Sequence, residues 1–284
     1  MSLGEFDVIK KYFNTQSIKR DNVVIGIGDD AAVVNIPRNE QLAITTDTLV
    51  AGVHFLENAS AYDVGYKSLA VNLSDLAAMG ANPVWVTLAL TLPEVNEDWL
   101  ENFSRGFFDL ASKYNVQLIG GDITRGPLSI SISAYGLVPP FQALTRSRAK
   151  PGDLIYVTNT LGNQFPRPEP RIDIGLKLRG IASAAIDISD GLISDLKHIL
   201  EMSNVGAEVN VDKVPRNKIS LELALTAGDD YELCFTAPSQ YKKDLTEFTC
   251  IGTITENKEL ILLDDKGQAY QGKIKGYEHF KKIQ

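Results

Sequence analysis

Aspartate beside glycine, serine or threonine recurs along this chain: Asp29-Asp30 after Gly28, Thr45-Thr46-Asp47, Ser74-Asp75, Gly121-Asp122, Asp187-Ile188-Ser189-Asp190 and Gly228-Asp229-Asp230. Carboxylates and hydroxyls are hard oxygen donors, and Mg²⁺ takes one or two carboxylates per ion, with water and substrate phosphate completing its octahedron. Taken alone, each aspartate reads as a turn or helix-cap residue, the commonest use of Asp before a helix or after a strand. Six such corners beside apolar runs shift the reading toward one metal-phosphate site on which they could converge.

Two other phosphate-binding devices fit poorly. Gly26-x-Gly28-x-x-Ala31 follows an apolar run as a dinucleotide-binding fingerprint should, but Asp29 and Asp30 set two carboxylates where the pyrophosphate would approach. A P-loop is excluded, because Gly121 to Gly126 is followed by Pro127 and no GxxxxGK[ST] occurs elsewhere.

The elements that must position these residues follow from hydrophobic period. Residues 23–27, 33–36 and 42–50 read as strands around the GDDAA corner, with the acids at strand ends. Val64, Leu69, Leu73, Leu76 and Ala77 recur at helical spacing, which predicts a helix over 62–79 carrying Asp75 and stopped by Gly80. Residues 85–92 form a strand, 97–114 an amphipathic helix, 116–122 a strand ending in a glycine corner, and 128–138 a long alternating strand. After a boundary of Pro, Arg, Ser and Lys at 139–152, strands at 154–162, 184–189, 207–211, 231–237 and 250–255 surround helices at 191–202 and 221–227, the strand at 250–255 being the last of the core. The expectation is an α+β domain over 1–140 and an α/β domain over 141–284.

The 284 residues, 44% of them hydrophobic, suffice for a substantial core, and the net charge of -8 argues against a nucleic-acid partner. Cys234 and Cys250 show no CxxC spacing, so a disulfide framework or thiolate metal site is not indicated and a reducing cytoplasm fits best. The MSLGEFDVIKKYF start is not a signal peptide and no apolar run reaches the roughly 18 residues of a membrane span, so no membrane association is expected.

Nearly the whole chain resembles the thiamine-monophosphate kinase family, a branch of the aminoimidazole-ribonucleotide-synthetase-like ATP-binding superfamily. The resemblance is carried by GIGDDAAV, TTDTLVAGVHF, YKSLAVNLSDLAAMGANP, LIGGDITRGPLSI, ALTRSRAKPGDLIYVTNTLG, AIDISDGLISDL, GDDYELCFT and GYEHF. It implies transfer of the ATP γ-phosphoryl group to thiamine phosphate. It implies an N-terminal domain that binds ATP and Mg and dimerises through its sheet, and a C-terminal α/β domain closing over ATP. Several magnesium ions, ATP as co-substrate, a homodimer and a candidate K⁺ come with it. Position by position, Asp30, Thr45, Thr46, Asp47, Asp75, Asp122, Asp187 and Asp190 match the family's magnesium ligands. Gly121, Asp122, Arg146 and Ser189 match its nucleotide contacts, and His54, Asp229 and Tyr277 its contacts to the thiamine substrate.

The chain departs from the family pattern in three places. Asp229 stands where the family usually has Glu, one methylene longer; Asn163-Gln164 follows Leu161-Gly162 in place of Asp-Ser-Ala-Ala-Gly; and the stretch between Pro215 and Leu221 is short. Two other readings compete: another ATP-using enzyme of the superfamily, or a non-catalytic nucleotide or metal binder. The sequence around His54 and the terminal GYEHF favour the thiamine enzyme. Selenophosphate synthesis would call for a reactive Cys near the N-terminus, and there is none.

Overall fold

The computed structural model describes residues 3–272. The chain folds as two compact units, one reaching to Leu76 and resuming over Ala81–Phe141, the other made of Ala77–Gly80 and the chain from Gln142 onward.

The first unit opens with α1 (Glu5–Val8), which runs into a π-type turn over Ile9–Phe13, and a small hairpin of β1 (Val23–Ile25) and β2 (Val33–Val34). Its centre is a four-stranded sheet of β3 (Gln41–Val50), β4 (Asn82–Leu92), β5 (Gln117–Arg125) and β6 (Ser129–Val138), in the order β3-β6-β4-β5. Only β4 and β5 run parallel. Pro83 enters β4 at a register shift, where a missing N–H costs the ladder nothing. Alternation on β6 buries Ile130, Ile132 and Ala134 and leaves the intervening serines half-exposed.

Helices α2 (Ala61–Ala78) and α3 (Glu97–Lys113) belong to this part of the chain. Asn96 caps α3 by accepting the Trp99 N–H at 3.0 Å, and Glu97 and Asp98 meet the positive end of the helix dipole. The helices cross at two glycines: a Cβ on Gly65 would stand 2.1 Å from the Phe103 carbonyl oxygen, and one on Gly106 2.0 Å from that of Tyr62. Helix α2 lies on the face of Ile130, Ile132 and Ala134, since a Cβ on Gly136 of β6 would meet Leu76 at 3.1 Å. The hairpin covers one end of the opposite face, with Val23, Ala32 and Val34 against Trp85, Ile119 and Leu137. The rest of that face carries hydroxyls and one acid: Thr46 and Thr48, Ser131 and Ser133, Thr87 and Thr91, Asp122 and Thr124.

In the second unit β7 (Leu154–Val157), β8 (Ala184–Asp187), β9 (Gly206–Asn210), β10 (Leu233–Ala237), β11 (Thr249–Thr255) and β12 (Leu260–Leu263) form one sheet in the order β12-β9-β11-β7-β10-β8. Helices α4 (Ile172–Lys177), α5 (Leu192–Ser203) and α6 (Leu221–Thr226) complete it. Ile155, Val157, Ile186, Leu196, Ile199 and Val209 sit in its core.

Three expectations are corrected. Asp47 lies in the middle of β3 rather than at a strand end. Strand β5 does not stop at Gly120-Gly121 but continues to Arg125, because Gly121 lets the backbone pass Leu88 of β4; a Cβ there would lie 1.9 Å from the Leu88 carbonyl oxygen. Strand β11 is not the last strand, since β12 pairs in parallel with β9 beyond it, a half-buried run of four residues too short for a period. Among the described residues no helix is long and apolar enough to cross a membrane.

Candidate metal-phosphate site

Period two along β3 decides which of its polar residues meet. Thr45, Asp47 and Leu49 turn toward α2, while Ile44, Thr46 and Thr48 turn to the hydroxyl face. On the α2 side the Thr45 hydroxyl donates to Oδ2 of Asp75, in a close contact. Asp47 is hydrogen-bonded to Asp75, and burial first, then the charge of Asp75, push the Asp47 carboxyl up to about 6. Two acids and a hydroxyl facing one another are a hard-oxygen donor set held against its own repulsion, and a divalent cation would relieve that repulsion. Thr46 shares no part of this cluster through its side chain. Its Oγ1 lies 2.8 Å from Oγ of Ser133 on the other face.

The second group is at the far edge of the sheet. A cavity of about 570 Å³, within the range of small-ligand pockets, is lined by Asp29, Asp30, Gly121 and Asp122 together with apolar residues that include Phe6 and Phe13. The register Thr48↔Ser131↔Ala89↔Asp122 puts Asp122 on the hydroxyl face, not the face of Asp47. Strands β3 and β5 are the two edges of the sheet, three spacings or about 14 Å apart. Asp30 and Asp122 are therefore brought together, and so are Thr45, Asp47 and Asp75, but the sheet keeps the two groups apart.

His54 follows β3 in a turn. Its Nδ1 accepts the Val50 N–H at 3.0 Å, so the ring proton sits on Nε2, and Lys67 Nζ donates to its carbonyl oxygen at 3.2 Å.

The second unit binds two loops to each other. Asp229 N–H donates to the Ser189 carbonyl at 2.9 Å and Tyr231 N–H to that of Ile188 at 2.9 Å. The approach demands Gly228, where a Cβ would stand 2.2 Å from the Ser189 oxygen. Asp229 and Tyr231 both have positive φ, +65° and +53°, a strained choice for residues with side chains. The Tyr231 hydroxyl donates to the Asp229 carboxylate at 3.0 Å, giving that shorter acid a fixed direction. Asp187 ends β8, buried, and pairs with Leu233. The loop after it is held from below: Oδ2 of buried Asp195 accepts the N–H groups of Ser189 and Asp190, each at 3.0 Å. Burial raises Asp195 to about 7, against the lowering effect of those N–H groups and of the Arg146 charge. Asp230 has the turn role open to any corner aspartate, accepting N–H from Gly162 at 2.7 Å and Asn163 at 2.9 Å.

Among the described residues no three His, Cys, Asp or Glu side chains gather as a ready metal cluster. Tyr277 lies outside the described residues. No motif marks Asn72, Tyr231 or Asp195; Asn72 stands within one helical turn of Asp75, and Asp195 lies five residues beyond Asp190, in the first turn of α5.

Residues 28–138 match the family described as AIR synthase related protein, N-terminal domain. The thiamine-monophosphate kinase of Buchnera aphidicola subsp. Acyrthosiphon pisum is 48% identical over 322 residues, covering 99% of this chain and 100% of the relative. The crystal structure of thiamine-monophosphate kinase from Stenotrophomonas maltophilia K279a superposes with a TM-score of 0.86 at 43% identity, covering 95% of this chain and 99% of that one. A structure of AaThiL complexed with AMPPCP and TMP superposes with a TM-score of 0.79 at 30% identity, covering 99% of each chain. With its aspartate corners placed as described and this likeness running through its whole length, the chain belongs to the thiamine-monophosphate kinase family.

Proposed function

We propose that this protein transfers the γ-phosphoryl group of ATP to thiamine phosphate, giving thiamine diphosphate and ADP. The observation that carries the reading is the Asp47–Asp75 pair with its Thr45 hydroxyl, an acid pair whose mutual repulsion suits a divalent cation. The family relative that holds AMPPCP, an ATP analogue, together with TMP supports the two substrates. Magnesium, when bound, would neutralise the phosphates and draw donor and acceptor together.

The chain's own residues hold and orient. Thr45, Asp47 and Asp75 supply oxygens on one side of the sheet, and Asp30 and Asp122 supply them in the cavity, beside the close backbone of Gly121. In the second unit Ser189, with Arg146, is assigned to the nucleotide, Asp187 and Asp190 to metal, and Asp229 to the thiamine substrate. Tyr277 and the Nε2–H of His54 are further contacts to that substrate. The acceptor phosphate has a second pKa of about 6 and arrives largely ionised, so no strong base is needed. The same reading makes the first unit the ATP, Mg and dimerisation domain. The hydroxyl-bearing part of its sheet along β3 and β6, with exposed Ile44, suits a second copy. A reducing cytoplasm suits its free cysteines.

Incubation with ATP, Mg²⁺ and thiamine phosphate, with thiamine and aminoimidazole-pathway substrates as controls, is the direct test. Thiamine diphosphate should appear only with thiamine phosphate and only with the divalent ion, and its absence would sink the reading. Omitting K⁺ tests that ion, and sedimentation tests the dimer.

A further inference from the structure

We propose that Asn72 is a positioning residue of the metal-phosphate site: its carboxamide ties α2 to β3, and so keeps the Asp75 and Asp47 carboxylates face to face. The inference rests on the metal-dependent reading given above. Asn72 is 0% exposed, and both ends of its amide are occupied. Oδ1 accepts the Asp47 backbone N–H at 3.1 Å, and Nδ2 donates to the Ser68 carbonyl one turn earlier in its own helix, at 3.0 Å.

Each bond answers a specific need. Strand β3 is a sheet edge, and alternate residues of an antiparallel strand point their N–H away from the partner strand. The Val50 N–H is one of these and goes to His54; the Asp47 N–H belongs to the other set, and the Asn72 oxygen meets it from the α2 side of the sheet, so the bond joins helix and strand at the residue whose carboxyl meets Asp75. The bond to Ser68 fixes the rotamer, so that the amide oxygen is already aimed when the strand docks. Asp75 stands three residues on, on the neighbouring part of the same helix surface. The Thr45–Asp75 hydrogen bond closes the opposite corner of the quadrilateral. With two clamps, helix and strand can neither slide nor roll relative to each other. With one, Asp75 could swing about Thr45.

The residue type also fits. An amide offers an acceptor and a donor together and adds no charge. Aspartate would lose the donor and put a third negative group beside two that already repel. Leucine would fill the space but satisfy neither backbone group, and serine is too short to span both.

The test compares the full-length parent with Asn72→Ala, Asn72→Ser and, as a control for general destabilisation, Leu73→Ala, a fully buried neighbour on the same helix. Mn²⁺ binding is measured without nucleotide, from the paramagnetic resonance signal of the free ion, beside thermal melting and the Mg²⁺ dependence of turnover. Residues that orient metal ligands commonly change metal affinity 10- to 100-fold, so Asn72→Ala should bind Mn²⁺ about 10-fold more weakly and need correspondingly more Mg²⁺ for half-maximal rate. Its Michaelis constant for thiamine phosphate at saturating Mg²⁺ should stay within about twofold of the parent. Leu73→Ala should melt earlier with metal affinity unchanged. Should Asn72→Ala fail to fold, Asn72→Ser carries the same expectation with a smaller shift. A variant at position 72 that melts earlier yet binds Mn²⁺ as the parent does makes Asn72 a packing residue only; the inference then falls and the kinase reading stands. A parent that binds no Mn²⁺ overturns both.

Discussion

Asp47 and Asp195 are both shielded carboxyls raised well above the ordinary range, Asp47 to about 6 and Asp195 to about 7. Their surroundings have opposite chemistry. Asp47 faces Asp75, another acceptor, so its environment answers charge with charge and is left improved by a cation. Asp195 faces two N–H donors on one oxygen, so its hydrogen bonding is already answered; burial is the largest cause of the raised value in both acids, and the charge of Asp190 adds a smaller push at Asp195. An aspartate that meets N–H groups is shaping a turn. One that meets a second acid across a hydroxyl, as Asp47 does, is the arrangement on which the proposed metal site rests.

The sharpest way to break this contrast is to neutralise one acid in each place. Asp75→Asn keeps size and the ability to accept from Thr45 but removes a charge that would hold the metal. Turnover at saturating substrates and Mg²⁺ should fall on the order of 100-fold or more. The same change removes the repulsion on Asp47, so the variant should melt no earlier than the parent. Turnover within a few-fold of the parent would show that the pair is not the metal site.

Asp195→Asn should behave in the reverse way. The folded chain holds a proton at Asp195 that the unfolded chain, with an ordinary pKa near 3.8, releases. Stability is therefore fully present below about pH 4, is lost as pH rises toward about 7, and is level above that. An Asn oxygen can accept both N–H groups without the buried charge, so the variant should flatten this slope. At pH 7 to 8 it should gain on the order of 2 kcal/mol over the parent, after allowance for weaker, uncharged hydrogen bonds. Urea unfolding between pH 4 and 8 measures it. A parent curve that does not fall over that window would put Asp195 among the ordinary acids.

The same distinction explains what could be read in the sequence. Spacing predicts the helix of Asp75, and the β-branched residues at 44–46, 48 and 50 predict the strand of Thr45 to Asp47. It cannot tell Asp230, which caps the Gly162 turn, from Asp47, which meets an acid within a strand, because both follow small or polar residues. Only tertiary contact separates them. Nor does spacing reveal that Asp122 and Asp47 share a sheet but not a face. That follows from strand order, and a chain crossing from β3 through α2 to β4 leaves no local trace of the order. Asn72 escaped notice for a related reason, since an apolar-looking helix face hides one amide whose task is to hold a strand.

The finest form of the comparison sets two neighbours on one strand against each other. Thr45 and Thr46 are identical in type and adjacent in sequence, and the family resemblance assigns both to metal, yet β3 sends their side chains to opposite faces. Thr45 donates to Oδ2 of Asp75, the acid that Asp47 meets. Thr45→Val keeps the branched shape that a strand favours and removes only the hydroxyl. Loss of one hydrogen bond to a charged group is worth about 1.5 kcal/mol or somewhat more, so turnover should fall about 10-fold and more Mg²⁺ should be needed to reach half of it. Thr46→Val removes a hydroxyl that meets Ser133, and its effect on turnover should stay within about twofold, because from that face only its backbone could reach the pair. Both variants should be assayed over a range of Mg²⁺ concentrations. If Thr46→Val proves the more damaging, the metal is held on the hydroxyl face with Asp122, and the pairing of Asp47 with Asp75 is a feature of folding rather than of catalysis.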